Sequence, residues 1–260
     1  MSKKKSAAEP VEYIDSQAFD AAKEKIIGKS HNDKGIGTLS EKTLHAVLKM
    51  YYEPDEDNHE VAIDGYFADI YNEHGIIEIQ TRQLNKLRDK LSVFLNEYQV
   101  RVVYPMPYEK YLSWIEPETG DITSRRKSPK RCSVYDAMFE LYKIKAFLKN
   151  QNFKVTLLLI DMEEYKLLNG WSYDKKRGST RYDRVPVGIR RIVKFDRIED
   201  YMQLVPADLK EDFTVKDFAM AAGVSVEASR YTLNILNYLE IVKRTGRVKN
   251  GYVYNVTEEF

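Results

Sequence analysis

An intramolecular disulfide framework is absent from this chain, because Cys132 is its single cysteine. A small secreted scaffold stapled by bridges is therefore excluded, and the expected setting is a reducing cytoplasm. Long apolar runs are missing as well. No stretch approaches the roughly 18 apolar residues that a membrane span requires. An excess of charge of one sign is absent too: 41 Lys and Arg against 40 Asp and Glu leave a formal net charge of +1. The total therefore demands no polyanionic partner, and any nucleic-acid surface must come from local clustering. Internal repeats and low-complexity segments are also lacking. The basic start, Lys3 to Lys5, runs into Ala7-Ala8-Glu9-Pro10 instead of the apolar run of a signal peptide.

With 260 residues, 43% of them hydrophobic, the chain can bury a substantial core in one large domain or two modest ones. The division expected is a poorly ordered arm over 1–36, a main domain over 37–197 and a smaller one over 198–260. Leu44, Val47, Leu48 and Tyr51 recur at helical intervals between Leu39 and Tyr52, with Ser40 as N-cap. Strands follow at His59–Ile63, Tyr66–Tyr71 and Ile76–Gln80. Leu84, Leu87, Leu91, Phe94 and Leu95 then make one stripe on a helix from about Arg82 to Tyr98. Val100 to Tyr104 reads as a buried strand stopped by Pro105 and Pro107. A strand, a crossover helix and a second apolar strand make a parallel pair, so the core is mixed α/β. Further on, Tyr111–Ile115 and Asp121–Thr123 flank a Pro117–Gly120 turn. Val134–Leu148 reads as a helix, Lys154–Asp161 as a central strand, and Ser172–Arg184 as a long loop.

The chemistry concentrates in one hairpin. A turn over Asn72 to Gly75 sets Tyr71 opposite Ile76, Ile70 opposite Ile77, and Asp69 opposite Glu78. Alternation then gives Asp69, Glu78 and Gln80 one face, and Ala68, Ile70, Ile77 and Ile79 the other. Directly opposed like charges destabilise a sheet unless something compensates them, and a divalent cation does so. Mg²⁺, or Mn²⁺, takes hard oxygen ligands and keeps several waters, so two carboxylates and a carbonyl suffice to hold it against a phosphate. Glu41, at the start of the first helix with His45 one turn on, is a third candidate ligand. Phe67 and Ile76 share the acids' face, which suggests that it is partly covered. Asp64 rivals Asp69, but only Asp69 meets Glu78 in register. The ordinary alternative is a solvated hairpin face that happens to carry acids.

An acid on a helix, then Asp69, then Glu78-Ile79-Gln80, then a helix with Arg82, Lys86, Arg88 and Lys90, then Val100–Tyr104, resembles the PD-(D/E)XK nuclease superfamily over roughly Leu39 to Tyr104. The resemblance implies a restriction-endonuclease-like core, a mixed sheet flanked by helices, acting as a Mg²⁺-dependent endonuclease. Asp69 and Glu78 would bind metal, Glu41 would contribute to the metal site, and Gln80 stands where the family usually has a lysine that positions or activates water. An amide can orient water but carries no charge to favour hydroxide, so the same resemblance also admits a degenerate core in a non-catalytic DNA-binding regulator.

Two basic clusters lie in apparent loops, Arg125-Arg126-Lys127 and Lys175-Lys176-Arg177 with Arg181. Trp171, Tyr173 and Tyr182 beside them are suited to stack on bases while the cations grip phosphates. Solvated loops balancing acids elsewhere are the competing reading. In the last third, Phe213–Ala219 opens a helix, Gly223-Val224-Ser225 turns, Val226–Leu239 forms a second helix, and Ile241–Arg244 and Tyr252–Tyr254 flank a basic tip. This order resembles the winged helix-turn-helix superfamily over roughly Pro206 to Val256, a small α+β domain. It implies DNA contact through Arg230, with Glu227 and Tyr231 beside it, and through Arg247 and Lys249 of the wing; a protein partner or a second copy docked on the same module is the alternative.

Overall fold

The computed structural model describes residues 13–32, 43–170, 178–249 and 251–258. The chain is α/β: one mixed sheet lies between two helical layers, and a smaller helix-and-hairpin unit follows. The main sheet is built from β1 (His59–Ile63), β2 (Tyr66–Asn72), β3 (Gly75–Ile79), β4 (Val100–Ile115), β6 (Phe153–Leu167) and β7 (Thr180–Phe195), in that spatial order, with β5 (Arg126–Lys127) along an edge of β4. β3, β4 and β6 run parallel, while β1, β2 and β7 join antiparallel.

One face of the sheet is covered by α1 (Ser16–Asn32) and α2 (Thr43–Tyr52). Phe19, Leu44, Val47 and Leu48 there meet Ile70, Ile79, Val103, Leu158 and Ile160. The other face is covered by α3 (Arg88–Phe94) and α4 (Met138–Lys143), and Leu91, Phe94, Met138 and Leu141 form a core with Val100, Val102, Val155 and Leu157. Both sides of the central strands are therefore dry, which is why Val155 to Ile160 reads as an unbroken buried run.

The poorly ordered arm needs correcting for its second half. Residues 16–32 form α1, and Phe19 and Ala22 are buried on the sheet. Phe19, Ala22 and Ile26 have helical spacing, but lysines and alanines dilute the stripe, so packing on the sheet rather than intrinsic amphipathicity holds this helix. The long helix read over Arg82–Tyr98 is instead a 3-10 turn, Leu84–Leu87, followed by α3. The helix read over Val134–Leu148 is likewise broken, with α4 flanked by 3-10 turns.

The prolines do not stop the fourth strand. Gln80 N–H donates to the Val103 carbonyl, so in this part of β4 the odd-numbered residues direct their backbone polar groups toward β3. Pro105 and Pro107 lie past the end of β3, on that vacated side, where a missing N–H costs no ladder bond. Cys132 N–H donates to the Pro107 carbonyl there. β4, β6 and β7 consequently extend together well beyond β3. β7 takes in the last five residues of the segment that reads as loop, Thr180 to Arg184, where a register shift between Tyr165 and Lys166 breaks the alternation.

In the C-terminal unit, α5 (Val215–Ala222) and α6 (Val226–Tyr238) follow a short strand, β8 (Phe213–Thr214), and lead into β9 (Val242–Val248) and β10 (Gly251–Val256). The three strands form an antiparallel sheet in the order β8-β10-β9. Thr214 and Asp217 make a reciprocal capping box at the start of α5, Gly223 ends that helix at φ 65°, and Ser225 caps α6. Phe213, Phe218, Leu233 and Leu236 join the same apolar cluster as α3 and α4.

Candidate functional site

The β2–β3 ladder pairs Asn72 with Gly75, Tyr71 with Ile76 and Ile70 with Ile77, and there it ends. At the next position the side chains take over. Asp69 Oδ2 accepts the Ile79 N–H at 2.7 Å, and Glu78 Oε1 accepts the Asp69 N–H at 3.4 Å. Each acid thus satisfies a backbone donor of the neighbouring strand, and the two carboxylates meet where the strands separate. Gly75 permits the turn that sets this register: its φ is 103°, and a Cβ there would collide with the Gln99 carbonyl oxygen.

The helical layers supply a basic residue from each side of the sheet. Lys90 Nζ, on α3, lies 2.7 Å from Glu78 Oε2. His45 Nε2, on α2, lies 3.1 Å from Asp69 Oδ2. Glu78 is only 2% exposed. Burial, reinforced by the charge of Asp69, pushes its carboxyl up to about 7 against the pull of Lys90. Burial also acts to raise Asp69, but the His45 hydrogen bond and charge, the Ile79 amide and Lys90 outweigh it and hold Asp69 below the ordinary aspartate value. The pair therefore divides into a firmly ionised acid and one that titrates near neutrality.

Other residues singled out in the sequence are placed differently. Gln80 directs its amide nitrogen to the Arg82 carbonyl at 2.6 Å, closing the turn into the next helix rather than facing the acids. Asp64 is exposed in the turn between β1 and β2. Ile76 is buried as expected of a covered face, whereas Phe67 is 63% exposed. Glu41, Ser40, Trp171, Tyr173, Lys175, Lys176 and Arg177 lie outside the described residues. Lys90, which sequence reading left among the generic cations of its helix, is drawn to the site; the signal available was an isolated lysine on an otherwise buried stripe. Among the described residues, no group of three or more His, Cys, Asp or Glu side chains comes together to hold a metal.

The first basic cluster is a return strand, not a free loop. β5 pairs Lys127 with Tyr111 and Arg126 with Leu112. Arg125 stacks on Tyr111 at 3.6 Å and pairs with Glu163 at 3.2 Å, while Lys127 pairs with Glu109 at 2.8 Å. Arg131 shares that same Glu109. In the C-terminal unit, Tyr231 is half-buried, packing edge-on against Phe139 and Tyr142 of the main domain. Arg230 is exposed, in a groove of about 650 Å³ between α6 and the β9–β10 hairpin that Lys216, Arg244 and Lys249 also line. Arg247 lies over Tyr252, 4.7 Å from its ring centre.

Residues 42–196 match the family model described as "Domain of unknown function (DUF8091)". That is more than half of the chain. The protein belongs to this family. The DUF8091 segment carries Asp69, Glu78, Lys90 and His45 and ends before the C-terminal unit. A Treponema pallidum (strain Nichols) protein, described as "Uncharacterized protein", is 29% identical over 208 residues, covering 77% of this chain and 79% of its own length. No solved structure matches the chain. Among the described residues, no helix is long and apolar enough to cross a membrane.

Proposed function

We propose that this DUF8091 protein is a metal-dependent nuclease of restriction-endonuclease-like type, hydrolysing phosphodiester bonds of DNA at Asp69, Glu78 and Lys90. One observation carries the reading: two acids from adjacent strands meet at the end of their ladder, one of them buried with its carboxyl near 7. Such a pair is relieved by added positive charge. Its donors are the hard oxygens that Mg²⁺ or Mn²⁺ takes, and two are sufficient for an ion that keeps its waters. Asp69 and Glu78 would hold the ion, with Glu41 as the further ligand proposed. When bound, it would polarise a phosphoryl oxygen and lower the pKa of a coordinated water.

The chain's own residues supply the rest. His45 and the Ile79 amide keep Asp69 ionised and oriented. Lys90 provides the fixed cation that Gln80 cannot, beside Glu78 and suited to stabilise charge developing on the phosphoryl group. The C-terminal unit, with two capped helices, a three-stranded sheet and a basic groove, is read as a winged helix that grips DNA or a partner protein.

The test is plasmid nicking by the full chain with Mg²⁺ or Mn²⁺. Asp69→Asn and Lys90→Met are each expected to reduce the rate by about 100-fold or more. Equal cleavage by wild type and both variants would reject the site. A second reading, a DNA-binding regulator with a degenerate core, is favoured by the engagement of Gln80 in its turn. It predicts salt-sensitive duplex binding that needs no metal and survives both substitutions.

A further inference from the structure

Beyond the end of β3, the long strands β4, β6 and β7 carry a charge cluster that the proposed hydrolytic site does not use. Glu164 of β6, its side chain 3% exposed, offers one oxygen, Oε2, to three cations. Arg184 Nε is at 3.1 Å, Arg181 Nε at 3.3 Å and Lys110 Nζ at 3.5 Å. A single carboxylate oxygen cannot accept three well-formed hydrogen bonds. Arg181 Nε is accordingly buried without hydrogen-bond geometry to any acceptor among the described residues. The adjacent acid, Asp183, is spent on the Thr43 amide and hydroxyl and on the Arg184 amide.

Three cations against Glu164 and Asp183 leave the cluster an excess of one positive charge in a partly enclosed place. Burial lowers the pKa of Lys110, and burial followed by the charge of Arg184 lowers that of Arg181. Arg82 also acts on Arg181. Asp183, the residue before Arg184, bonds Thr43, two residues before the His45 that reaches Asp69, so α2 ties this part of β7 to the Asp69–Glu78 pair. All three cations remain partly open, with side-chain exposures of 14% for Arg184, 21% for Lys110 and 30% for Arg181. A structural ion pair needs one cation; three around one oxygen, still reachable from outside, leave room for a second anion.

We infer that Lys110, Arg181 and Arg184 form a phosphate subsite that holds a backbone phosphate of a nucleic-acid strand beside the Asp69–Glu78 pair. For the identity of the strand this rests on the phosphodiester reading above. Glu164 holds the three cations together in the absence of the strand, and guanidinium groups suit the bidentate capture of phosphate oxygens.

The test measures binding by the full chain, in EDTA, of a short phosphorothioate single strand, with pyrophosphate as the small-anion probe. Arg181→Gln is expected to weaken strand binding about tenfold and to flatten its salt dependence by close to one counterion. Glu164→Gln, which removes the competing carboxylate, is expected to tighten it. Circular dichroism confirms that each variant is folded, and where Glu164→Gln is less stable than wild type, pyrophosphate is expected to restore its melting temperature more than chloride at equal ionic strength. Unchanged affinity in both folded variants would overturn the subsite. Binding of pyrophosphate but not of the strand would overturn the strand and assign the cluster to small phosphoesters. Plasmid nicking by wild type separates the two proposals: strand binding that depends on Arg181 while wild type with Mg²⁺ or Mn²⁺ cleaves no more than Asp69→Asn leaves the subsite standing without the nuclease, and cleavage that persists in Arg181→Gln with unchanged strand affinity does the reverse.

Discussion

Asp183, on β7, accepts both the backbone N–H and the side-chain hydroxyl of Thr43, the first residue of α2. A carboxylate 140 residues away in sequence thus fills the role of a local helix cap. It satisfies a donor at the helix N-terminus and complements the helix dipole. Because α2 also carries His45, this one contact fixes the register from which the imidazole reaches Asp69.

Asp183→Ala is therefore expected to destabilise the fold by about 1–3 kcal/mol, the cost of leaving buried donors unsatisfied. Urea denaturation measures it. A change below about 0.5 kcal/mol would mean that the anchor contributes nothing.

The pH dependence follows from Glu78. Its folded carboxyl titrates at about 7 against 4.5 ordinarily, so between these values the folded state holds more protons than the unfolded one. Stability from this group is complete below pH 4.5 and is lost as the pH rises through 7. Asp69 acts in the opposite sense: its depressed value gives stability above the ordinary aspartate range that is lost in stronger acid. Glu78→Gln removes the loss on the alkaline side. The variant is expected to exceed wild type by about 1–3 kcal/mol at pH 8 and to match it near pH 4.5. Equal differences at both pH values, by denaturant titration, would show that Glu78 is not the group responsible.

Gly75→Ala tests the turn. Its backbone is left-handed and its Cβ would strike the Gln99 carbonyl, which also accepts the Ile76 N–H at 2.8 Å. A loss of about 2–4 kcal/mol is expected from strain and the displaced contact together. A melting temperature within 1–2 °C of wild type would refute that geometry.

Tyr231→Ala removes the ring that meets Phe139 and Tyr142 across the contact between α6 and α4. The expected cost is about 2–4 kcal/mol. Faster proteolysis near residues 205–212 should accompany it if that contact holds the C-terminal unit in place. Unchanged cleavage kinetics would show that the contact is dispensable.

Much of this molecule is local and was therefore readable. Turn chemistry and alternation set the β2–β3 register as far as Ile70 and Ile77. Beyond it the expected shared face fails, because Ala68 packs with α3 and α4 while Ile70 and Ile79 pack with α1 and α2, and Asp69 and Glu78 take their basic partners from opposite layers. Apolar runs located β3, the start of β4 and the core of β6, and the Gly223-Val224-Ser225 turn separated α5 from α6. Gln80, by contrast, followed its turn rather than its face, an outcome decided by the carbonyls of Arg82 and Gln83.

The amino-acid order by itself fixed the class of fold, the hairpin and the two acids on it, since each depends on neighbours within a few residues. Only the tertiary structure decided that α1 packs, that β4 passes through two prolines beside an ended strand, that Lys90 and His45 arrive from opposite helical layers, and that Lys110, Arg181 and Arg184 converge on one oxygen of Glu164. Those results depend on which strands lie side by side and where each one stops. Distances between segments far apart in sequence leave no periodic trace along the chain.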